Sequence, residues 1–439
     1  MLTTEPKRVL LFATKLGYQT RSFHRAADQL GVKLAYVTDR CSRLNDPWND
    51  GALPVHFDLP EHAAERVLEA QRGQPVDGVL AVGDRPTVAA AYVARRLGLT
   101  YNHPASVEAC RSKLRMREVL RDAGLRVPWF RAVPLEPLAE PSLLRIDYPC
   151  VLKPISLSAS QGVVRADNRD EFVAGATRLK RLLDSPEILA AREPNRDQII
   201  VEGYLEGREV AVEALLSEGS LRVLAIFDKP DPLVGPYFEE TIYVTPSRLS
   251  GDEQRAVEAS LLGCVRALGL THGPLHAEFR LNEEGVWPIE IAARPIGGLC
   301  ARALRFDLNR PADPIGLEEL LLRHALGMPG SDAKREELAS GVMMIPVPRS
   351  GVLDGIEGEE GARTTEHVTG LEITARVHDY VTAWPEGSSY LGFAFARASN
   401  PTSAEKALRE AHRKLHFAIT RRLPVEHPVT RTVPPGEHG

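Results

Sequence analysis

The chain has 439 residues, of which 43% are hydrophobic, and a formal net charge of -5 at pH 7. A chain of this length can bury several cores, so we expect two to four domains. The small negative charge excludes a basic field for nucleic acid, and the five scattered cysteines, without a C-x-x-C pair, favour neither a disulfide framework nor a zinc site. No apolar run approaches the ~20 residues of a membrane span, and residues 1–8 lack the apolar core of a secretion signal. We therefore expect a cytoplasmic protein with neither nucleic acid nor membrane as a partner.

The N-terminal part alternates short apolar strands with helices. Strands are predicted at "RVLLFAT", "KLAYVTD" and "DGVLAVGD", and a helix over residues 86–97. Strands that alternate with helices are typical of a parallel sheet covered on both faces. The pattern predicts an α/β domain over residues 1–105 that resembles half of a doubly wound fold.

The pattern changes after this domain. The stretch "HPASVEACRSKLRMREVLRDAGLRVP" predicts one helix that ends at Gly124. Short β segments with helices between them then predict an α+β region over residues 106–330, in which "LDSPEILAAREPNRDQ" is expected to be a solvated insertion. A β-rich piece with one helix follows over residues 331–423, and residues 424–439 have no apolar periodicity and are expected to form a flexible tail.

One predicted hairpin brings two carboxylates together. The stretch "LHAEFRLNEEGVWPIEIAAR" predicts two strands, with Gly285 at the left-handed third position of a three-residue loop. That register pairs Asn282 with Val286 and places Glu278 directly opposite Glu290 on one face. Two carboxylates at this separation either share a proton or hold a cation. Oxygen ligands on a rigid sheet suit Mg²⁺ that also binds phosphate, whereas the alternative is an exposed hairpin with solvated glutamates.

Other residues of this face point to the same chemistry. Arg294 continues the face of Glu290, while Ile289 and Ile291 are predicted to point to the other side. A planar guanidinium at this position would neutralise charge on a phosphoryl group. His276 shares the face of Glu278 and would either orient an acyl acceptor, take its proton, or serve only as a structural histidine.

Two motifs upstream also suit a nucleotide. The strand "YPCVLKPI" buries Lys153, where an unpaired ammonium is costly, and the loop "SLSASQGV" after it can fold its backbone N–H groups over phosphates. The strand "IIVEGYLEGREV" breaks into a hinge that would expose backbone groups to an adenine edge. Leu205 would form an apolar wall there, and Glu209 is placed to bond ribose hydroxyls.

The order of these motifs resembles the ATP-grasp superfamily. The matching elements run from the helix "RSKLRM" with Lys113, through "VLKP", "SASQGV" and "VEGYLEG", to "HAEF" and "IEIAARPIGG". Within that superfamily, "GPLHAEFR", "FEETIYVTPS" and "AWPEGSSYLGFAFARA" look most like carboxylate–amine ligases of the L-amino-acid ligase and carnosine synthase type. The resemblance implies an ATP-grasp fold with an N-terminal parallel-sheet α/β domain, and residues 331–423 would complete the ATP-grasp module. A homodimer is common among such relatives.

The resemblance also implies a role for each matching residue. Those expected to contact the ATP phosphates are Lys113, Lys153, Ser160, Gln161 and Gly162. Those expected to line the adenine pocket are Glu202, Tyr204 and Leu205, the first two mainly through backbone atoms, with Glu209 on the ribose.

The remaining implied roles concern metal and substrate. Glu278 and Glu290 would bind two Mg²⁺ ions, for which Mn²⁺ may substitute, although Ala292 stands where many relatives carry a further Asn ligand. Arg294 would stabilise the transferring phosphoryl group and the tetrahedral intermediate. A substrate carboxylate would be held by Gly297, Gly298 and Arg302.

The function implied is an ATP-dependent carboxylate–amine ligase for small molecules. A carboxylate would attack the γ-phosphate of ATP to give an acyl phosphate, and an amine would displace phosphate to form an amide, with an amino acid as the expected substrate. Charge neutralisation matters more here than acid–base work. Two alternatives remain at this point, a subunit of a biotin-dependent carboxylase and a nucleotide-binding regulator without catalysis.

Overall fold

A computed structural model describes residues 5–14, 18–39, 52–136, 146–308 and 314–421. The predicted tail over residues 424–439 lies outside these described residues.

The N-terminal domain is a parallel sheet between helices, as predicted. Its strands are β1 (Arg8–Ala13), β2 (Lys33–Thr38), β3 (Leu53–Pro54) and β4 (Gly78–Val82), in the spatial order β3-β2-β1-β4. Its helices are α1 (Tyr18–Leu30), α2 (Pro60–Ala70) and α3 (Thr87–Leu97). Alternate residues of β1 enter different cores: Leu10 and Phe12 pack with residues of α2 and α3, whereas Val9 and Leu11 pack with residues of α1. A strand buried on both faces explains the unbroken apolar run of β1.

The stretch predicted as one linking helix forms two. They are α4 (Pro104–Arg111) and α5 (Lys113–Asp122), and the chain bends between them at Ser112. Ser112 has extended backbone angles (φ -97°, ψ 108°), and its hydroxyl accepts a hydrogen bond from the backbone N–H of Arg115. A serine in this geometry caps a new helix rather than continuing the old one, so the one-helix prediction is wrong at this residue.

A small sheet with its own core follows. Its strands are β5 (Phe130–Pro134), β6 (Cys150–Pro154), β7 (Val164–Ala166) and β8 (Gln198–Gly203), in the order β5-β8-β6-β7. Its helices are α6 (Arg169–Leu183) and α7 (Pro186–Ala191). We call this unit, over the described residues 130–136 and 146–203, the four-stranded subdomain.

The largest sheet is antiparallel and has eight strands. Five of them come from the middle of the chain: β9 (Arg208–Ser217), β10 (Ser220–Asp228), β11 (Ile242–Thr245), β12 (Gly273–Asn282) and β13 (Gly285–Ala292). Three come from the C-terminal part: β17 (Ala339–Ile345), β19 (Val368–Ile373) and β21 (Gly392–Ala398). The order is β13-β12-β9-β10-β11-β17-β21-β19, so the C-terminal strands extend the same sheet as the predicted hairpin.

The other described elements pack around this central sheet. The helices are α8 (Gly251–Leu268), α9 (Leu317–Ala325), α10 (Glu359–Arg363) and α11 (Pro401–Lys414), with a 3-10 turn at Cys300–Ala303. The short strands are β14 (Arg305–Asp307), β15 (Ile315–Gly316), β16 (Lys334–Arg335), β18 (Gly351–Glu357), β20 (Tyr380–Val381) and β22 (His416–Thr420). The mixture of one parallel sheet and several antiparallel sheets confirms the predicted fold class. The domain boundaries at residues 105, 330 and 423 stay predictions.

Candidate functional site

An open cavity lies between the four-stranded subdomain and the hairpin end of the central sheet. Its walls include nine residues predicted to bind nucleotide or metal: Lys113, Lys153, Ser160, Glu202, Tyr204, Leu205, Glu209, Glu278 and Glu290. The other predicted site residues lie outside these walls: Gln161, Gly162, His276, Arg294, Gly297, Gly298 and Arg302. The cavity therefore gathers the predicted nucleotide and metal groups from four separate parts of the chain.

Glu278 faces Glu290 across β12 and β13, as predicted, but through a different register. Asn282 pairs with Gly285, so the loop holds two residues instead of the predicted three. Gly285 has a φ of 128°, which lies in the region that favours glycine. A shift of one residue would by itself have moved every later side chain to the opposite face.

A β-bulge restores the alignment of the two glutamates. The register shifts between Glu278 and Phe279, and Ile289 is the extra residue on β13. As a consequence, Ile289 lines the cavity together with Glu290. The prediction that Ile289 points away from Glu290 is therefore wrong, although the facing pair of glutamates is confirmed.

A buried lysine that the sequence did not indicate holds three carboxylates together. The Nζ atom of Lys229 lies 2.8 Å from Glu209, 2.5 Å from Glu240 and 2.8 Å from Glu278. Burial lowers the pKa of Lys229, but these carboxylates outweigh burial and raise it well above its usual value. The cluster is therefore held by a permanent positive charge.

The same carboxylates meet the requirements of a magnesium site. Ligand oxygens of Glu209, Glu240 and Glu278 all lie within 4.8 Å of one another. These hard oxygen donors are the type that Mg²⁺ prefers, and Glu290 faces Glu278 from the neighbouring strand. The donor atoms are of the type that fits a divalent cation, while the ammonium of Lys229 already pairs with Glu209, Glu240 and Glu278. Ala292 of β13 is buried opposite His276. It has no side-chain oxygen and therefore adds no metal ligand to Glu278 and Glu290.

His276 is a buried, paired imidazole. Its Nδ1 lies 2.5 Å from Glu213, and its Nε2 lies 3.5 Å from Glu278. Burial lowers the pKa of His276, but the hydrogen bond and charge of Glu213 outweigh burial and raise it to about 9. A group that is already protonated is a poor acceptor for another proton, so the geometry favours positioning of Glu278 over the predicted removal of a proton.

A second buried ion pair fixes the lysine of β6. Glu202 accepts hydrogen bonds from Lys153 at 2.6 Å and from Arg117 of α5 at 2.7 Å. Burial raises the pKa of Glu202, but the two cations outweigh burial and lower it to about 2. The side chain of Glu202 therefore orients Lys153 toward the cavity, a role that adds to the predicted backbone contact with adenine.

The small-residue loop after β6 is bonded to the C-terminal part of the chain. The backbone N–H of Gly162 donates to Pro385 at 2.9 Å, and the side chain of Gln161 donates to the backbone oxygen of Glu386 at 2.9 Å. The indole N–H of Trp384 donates to the backbone oxygen of Ala159 at 3.2 Å. The predicted phosphate donors at residues 161 and 162 are thus already engaged, and Ser160 is the loop residue on the cavity wall.

The hinge end of the cavity is built from cations and aromatic rings. Two guanidinium groups lie over the ring of Tyr204, that of Arg165 at 4.1 Å and that of Arg280 at 5.4 Å from the ring centre. Arg280 also donates to Glu209 at 2.8 Å and to the backbone oxygen of Leu205 at 2.5 Å. Phe238 completes this wall, and the hydrogen bonds of Arg280 join the hinge to the central sheet.

Arg294 is oriented by the N-terminal domain. Its guanidinium donates to both oxygens of Asp84, at 2.9 Å and 3.0 Å. Burial lowers the pKa of Arg294, but Asp84 outweighs burial and raises it, so the side chain stays charged. A bidentate pair of this kind fixes the plane of the guanidinium, which makes the turn after β4 part of the site.

The predicted substrate groups lie beyond Arg294. Gly298 has a φ of 62°, and a side chain there would meet the ring of Phe393 at 3.0 Å. Arg302 forms an ion pair of 2.5 Å with Glu372 of β19. These contacts place the glycine loop against the C-terminal strands, and the roles in substrate binding stay predictions.

Three family models match this chain in series. The ATP-grasp N-terminal domain matches residues 23–100, the ATP-grasp domain matches residues 146–303, and the L-amino acid ligase C-terminal domain 2 matches residues 343–420. The solved structure of L-amino acid ligase from Bacillus licheniformis superposes with a TM-score of 0.79 at 26% identity, over 95% of this chain and 100% of that one. This chain belongs to the ATP-grasp superfamily. Residues 343–420 of this ATP-grasp chain match a domain that is named after the L-amino acid ligases.

Two curated relatives of this ATP-grasp chain are longer proteins. Carnosine synthase 1 of Gallus gallus is 29% identical over 81% of this chain and 40% of that protein. Alanine–anticapsin ligase of Bacillus subtilis is 27% identical over 55% of this chain and 53% of that protein. The chain thus spans about half the length of these relatives or less. Among the residues that the structure describes, every helix is too short or too polar to cross a membrane.

The structure adds functional candidates that the sequence left unnoticed. They are Arg117, Glu213, Lys229, Phe238, Glu240 and Arg280. Two of these carried a usable signal, because Lys229 directly follows an apolar strand and Arg117 follows the buried Met116 of an amphipathic helix. A cation beside apolar neighbours requires a buried partner. Only Lys153 was predicted to be buried in this way. The others depend on pairing between distant strands.

Proposed function

We propose that this chain is an ATP-dependent carboxylate–amine ligase that forms an amide or peptide bond, with an amino acid as substrate, and releases ADP and phosphate. The observation that carries the proposal is the cavity in which Lys153 and Ser160 of the four-stranded subdomain face Glu278 and Glu290 of the central sheet. A triphosphate fits between cations on one wall and a divalent metal site on the other. The L-amino acid ligase domain over residues 343–420 supports the choice of reaction.

The nucleotide would lie with its base at the hinge and its phosphates at the small-residue loop. Tyr204, Leu205 and Phe238 supply the wall for adenine, and Glu209 lies beside them for the ribose. Lys113 and Lys153 would contact the phosphates, because both line the cavity at its β6 side. The hydrogen bonds from Trp384 and to Pro385 keep the loop closed over this end, which excludes water from the reaction.

Magnesium would be held by Glu278 and Glu290, with Glu240 and Glu209 close enough to contribute. Two Mg²⁺ ions, or Mn²⁺ in their place, would neutralise charge on the nucleotide phosphates. The chain's own contribution is orientation. His276 and Lys229 both lie against Oε1 of Glu278, and together they orient its carboxylate.

The reaction itself needs charge stabilisation at the phosphoryl group. The substrate carboxylate attacks the γ-phosphorus, the bond to ADP breaks, and an acyl phosphate forms. The amine then attacks the acyl carbon, phosphate leaves, and the amine loses a proton. Arg294 is positioned by Asp84 for the charge on both intermediates, and Gly297, Gly298 and Arg302 would bind a substrate carboxylate.

The alternatives from the sequence receive less support. A biotin-dependent carboxylase shares the metal site, but the match of the C-terminal strands to an L-amino acid ligase domain favours amide formation. A regulator without catalysis would not require the bidentate pair of Arg294 or the Lys229 cluster.

A substrate screen tests the proposal. The protein would be incubated with ATP, Mg²⁺ and pools of amino acids, and ADP, phosphate and new amides measured by mass spectrometry. We expect ADP and phosphate in equal amounts with an amide of the added amino acids. Release of AMP and pyrophosphate would contradict the acyl-phosphate route, and turnover that needs bicarbonate and biotin would favour the carboxylase.

A further inference from the structure

A buried carboxylate ties the four-stranded subdomain to the N-terminal domain through residues that do not line the cavity. Glu193, in the segment after α7, has a side chain only 4% exposed. Its Oε1 lies 2.7 Å from Nε of Arg85, and its Oε2 accepts a hydrogen bond of 2.9 Å from Arg111. Arg85 also donates to the backbone oxygen of Ala191 at 2.5 Å. The sequence predicted a solvated insertion here, and most of residues 184–198 are exposed, but Ile188 and Glu193 are buried.

The four-stranded subdomain is a distinct structural unit on one side of the cavity. It has its own sheet and its own apolar core, and it supplies one wall of a cavity whose other wall belongs to the central sheet. Units joined by small polar interfaces move relative to one another by default. The contacts that join the subdomain to the rest of the chain, those of Glu193 as well as those of the small-residue loop, therefore contribute to how long the cavity stays closed.

The arginines that hold Glu193 come from two different elements. Arg111 is the last residue of α4, which leads to Lys113 of the cavity. Arg85 directly follows Asp84, the residue that orients Arg294, and Arg85 also lies 2.6 Å from Asp39. Closure of the subdomain and placement of Arg294 thus share the same turn after β4.

We propose that Glu193 is a positioning residue that clamps the four-stranded subdomain shut over bound nucleotide through Arg85 and Arg111. The inference rests on the proposed nucleotide binding and goes beyond it, because it assigns the closed state to a contact outside the cavity walls. A charge-assisted bond in a buried place is worth more than a surface pair. The clamp therefore slows nucleotide release rather than nucleotide capture.

The test is the release rate of a fluorescent ATP derivative, N-methylanthraniloyl-ATP with Mg²⁺, measured by stopped flow on the full chain. We expect Glu193→Gln to speed release about tenfold while the association rate constant stays within about twofold, because the cavity walls are unchanged. Arg111→Gln keeps the bond to Arg85 and should give a smaller increase. The double variant should exceed Glu193→Gln only slightly, since both changes break one shared contact.

A neighbouring ion pair provides the matched control. Arg192 lies 3.5 Å from Asp58, joins the same two units, and has a side chain 58% exposed. Arg192→Gln should therefore leave both rates within about twofold. If the wild type binds the derivative and both Glu193→Gln and Arg111→Gln release it at the wild-type rate, the clamp is refuted while nucleotide binding stands. Failure of the wild type to bind the derivative would overturn nucleotide binding and the clamp together.

Discussion

Replacement of Glu202 by glutamine is expected to destabilise the protein strongly. The carboxylate of Glu202 is the shared partner of Arg117 and Lys153, and these residues are 3%, 0% and 9% exposed. A neutral amide cannot balance two positive charges in such a place. Removal of one partner from a buried ion pair leaves an uncompensated charge, which costs about 3–5 kcal/mol.

The pKa of Glu202 gives an independent magnitude. Burial raises this pKa, but Arg117 and Lys153 outweigh burial and lower it from 4.5 to about 2. At ~1.4 kcal/mol per pKa unit, this difference corresponds to about 3 kcal/mol of stability. The sign follows from the depressed pKa: the contribution is complete above pH 4.5 and is lost as the pH falls toward 2. The free energy of unfolding should therefore be compared at pH 7.

Urea unfolding at pH 7, followed by circular dichroism, measures the effect. We expect Glu202→Gln to lower the free energy of unfolding by about 3 kcal/mol, and to weaken nucleotide binding because Lys153 loses its anchor. Glu118→Gln is the matched control, since Glu118 pairs with Arg115 on the exposed side of α5, the helix that carries Arg117. Its free energy of unfolding should fall by only about 0.5 kcal/mol. A loss below about 1 kcal/mol for Glu202→Gln would refute the reasoning.

Two further outcomes follow from other parts of the molecule. Trp384→Phe keeps an aromatic ring but removes the N–H that bonds the small-residue loop, so the affinity for a non-hydrolysable ATP analogue with Mg²⁺ should fall about fivefold by calorimetry. The control Trp287→Phe, which removes an indole hydrogen bond at the hairpin tip, should bind the analogue normally. Equal affinities of the wild type and Trp384→Phe would argue against the loop contact. Burial and the stacked ring of His272 lower the pKa of His324 to about 4. Between pH 6.5 and 4 the unfolded chain therefore binds a proton that the folded chain does not, and the free energy of unfolding decreases as the pH is lowered. From pH 7 to pH 5 the wild type should lose about 1–2 kcal/mol more than His324→Gln in urea unfolding, after allowance for partial exposure, and parallel curves would contradict this.

The fold was predictable where local pattern and topology agree. The parallel N-terminal sheet followed from apolar strands between helices. The break at Ser112 was missed because an amphipathic pattern continues across it, while a single serine cap decides the backbone there. The insertion after α6 looked solvated because it is polar, yet Glu193 finds two arginines that are distant in sequence.

The facing glutamates of the site could be predicted from the sequence, whereas most of its buried lysine and arginine side chains could not. The facing of Glu278 and Glu290 was expected from strand alternation, and it holds only because the bulge at Ile289 offsets a shorter loop. Neither change is visible in residue types. Lys229 faces Glu209 across the hairpin of β9 and β10, but its partner Glu278 lies on β12. Arg280 of β12 bonds Glu209 of β9. These partners on strands distant in sequence could not be identified from spacing along the chain.

The central claim is that Glu278 and Glu290 hold the metal that grips the triphosphate. Titration calorimetry of a non-hydrolysable ATP analogue, with and without Mg²⁺, tests it most directly in the wild type, Glu290→Gln and the exposed loop variant Glu284→Gln. We predict that Mg²⁺ strengthens binding in the wild type and in Glu284→Gln, and that Glu290→Gln loses most of this gain, by about tenfold or more. An equal gain from Mg²⁺ in Glu290→Gln, or none in the wild type, would contradict the account.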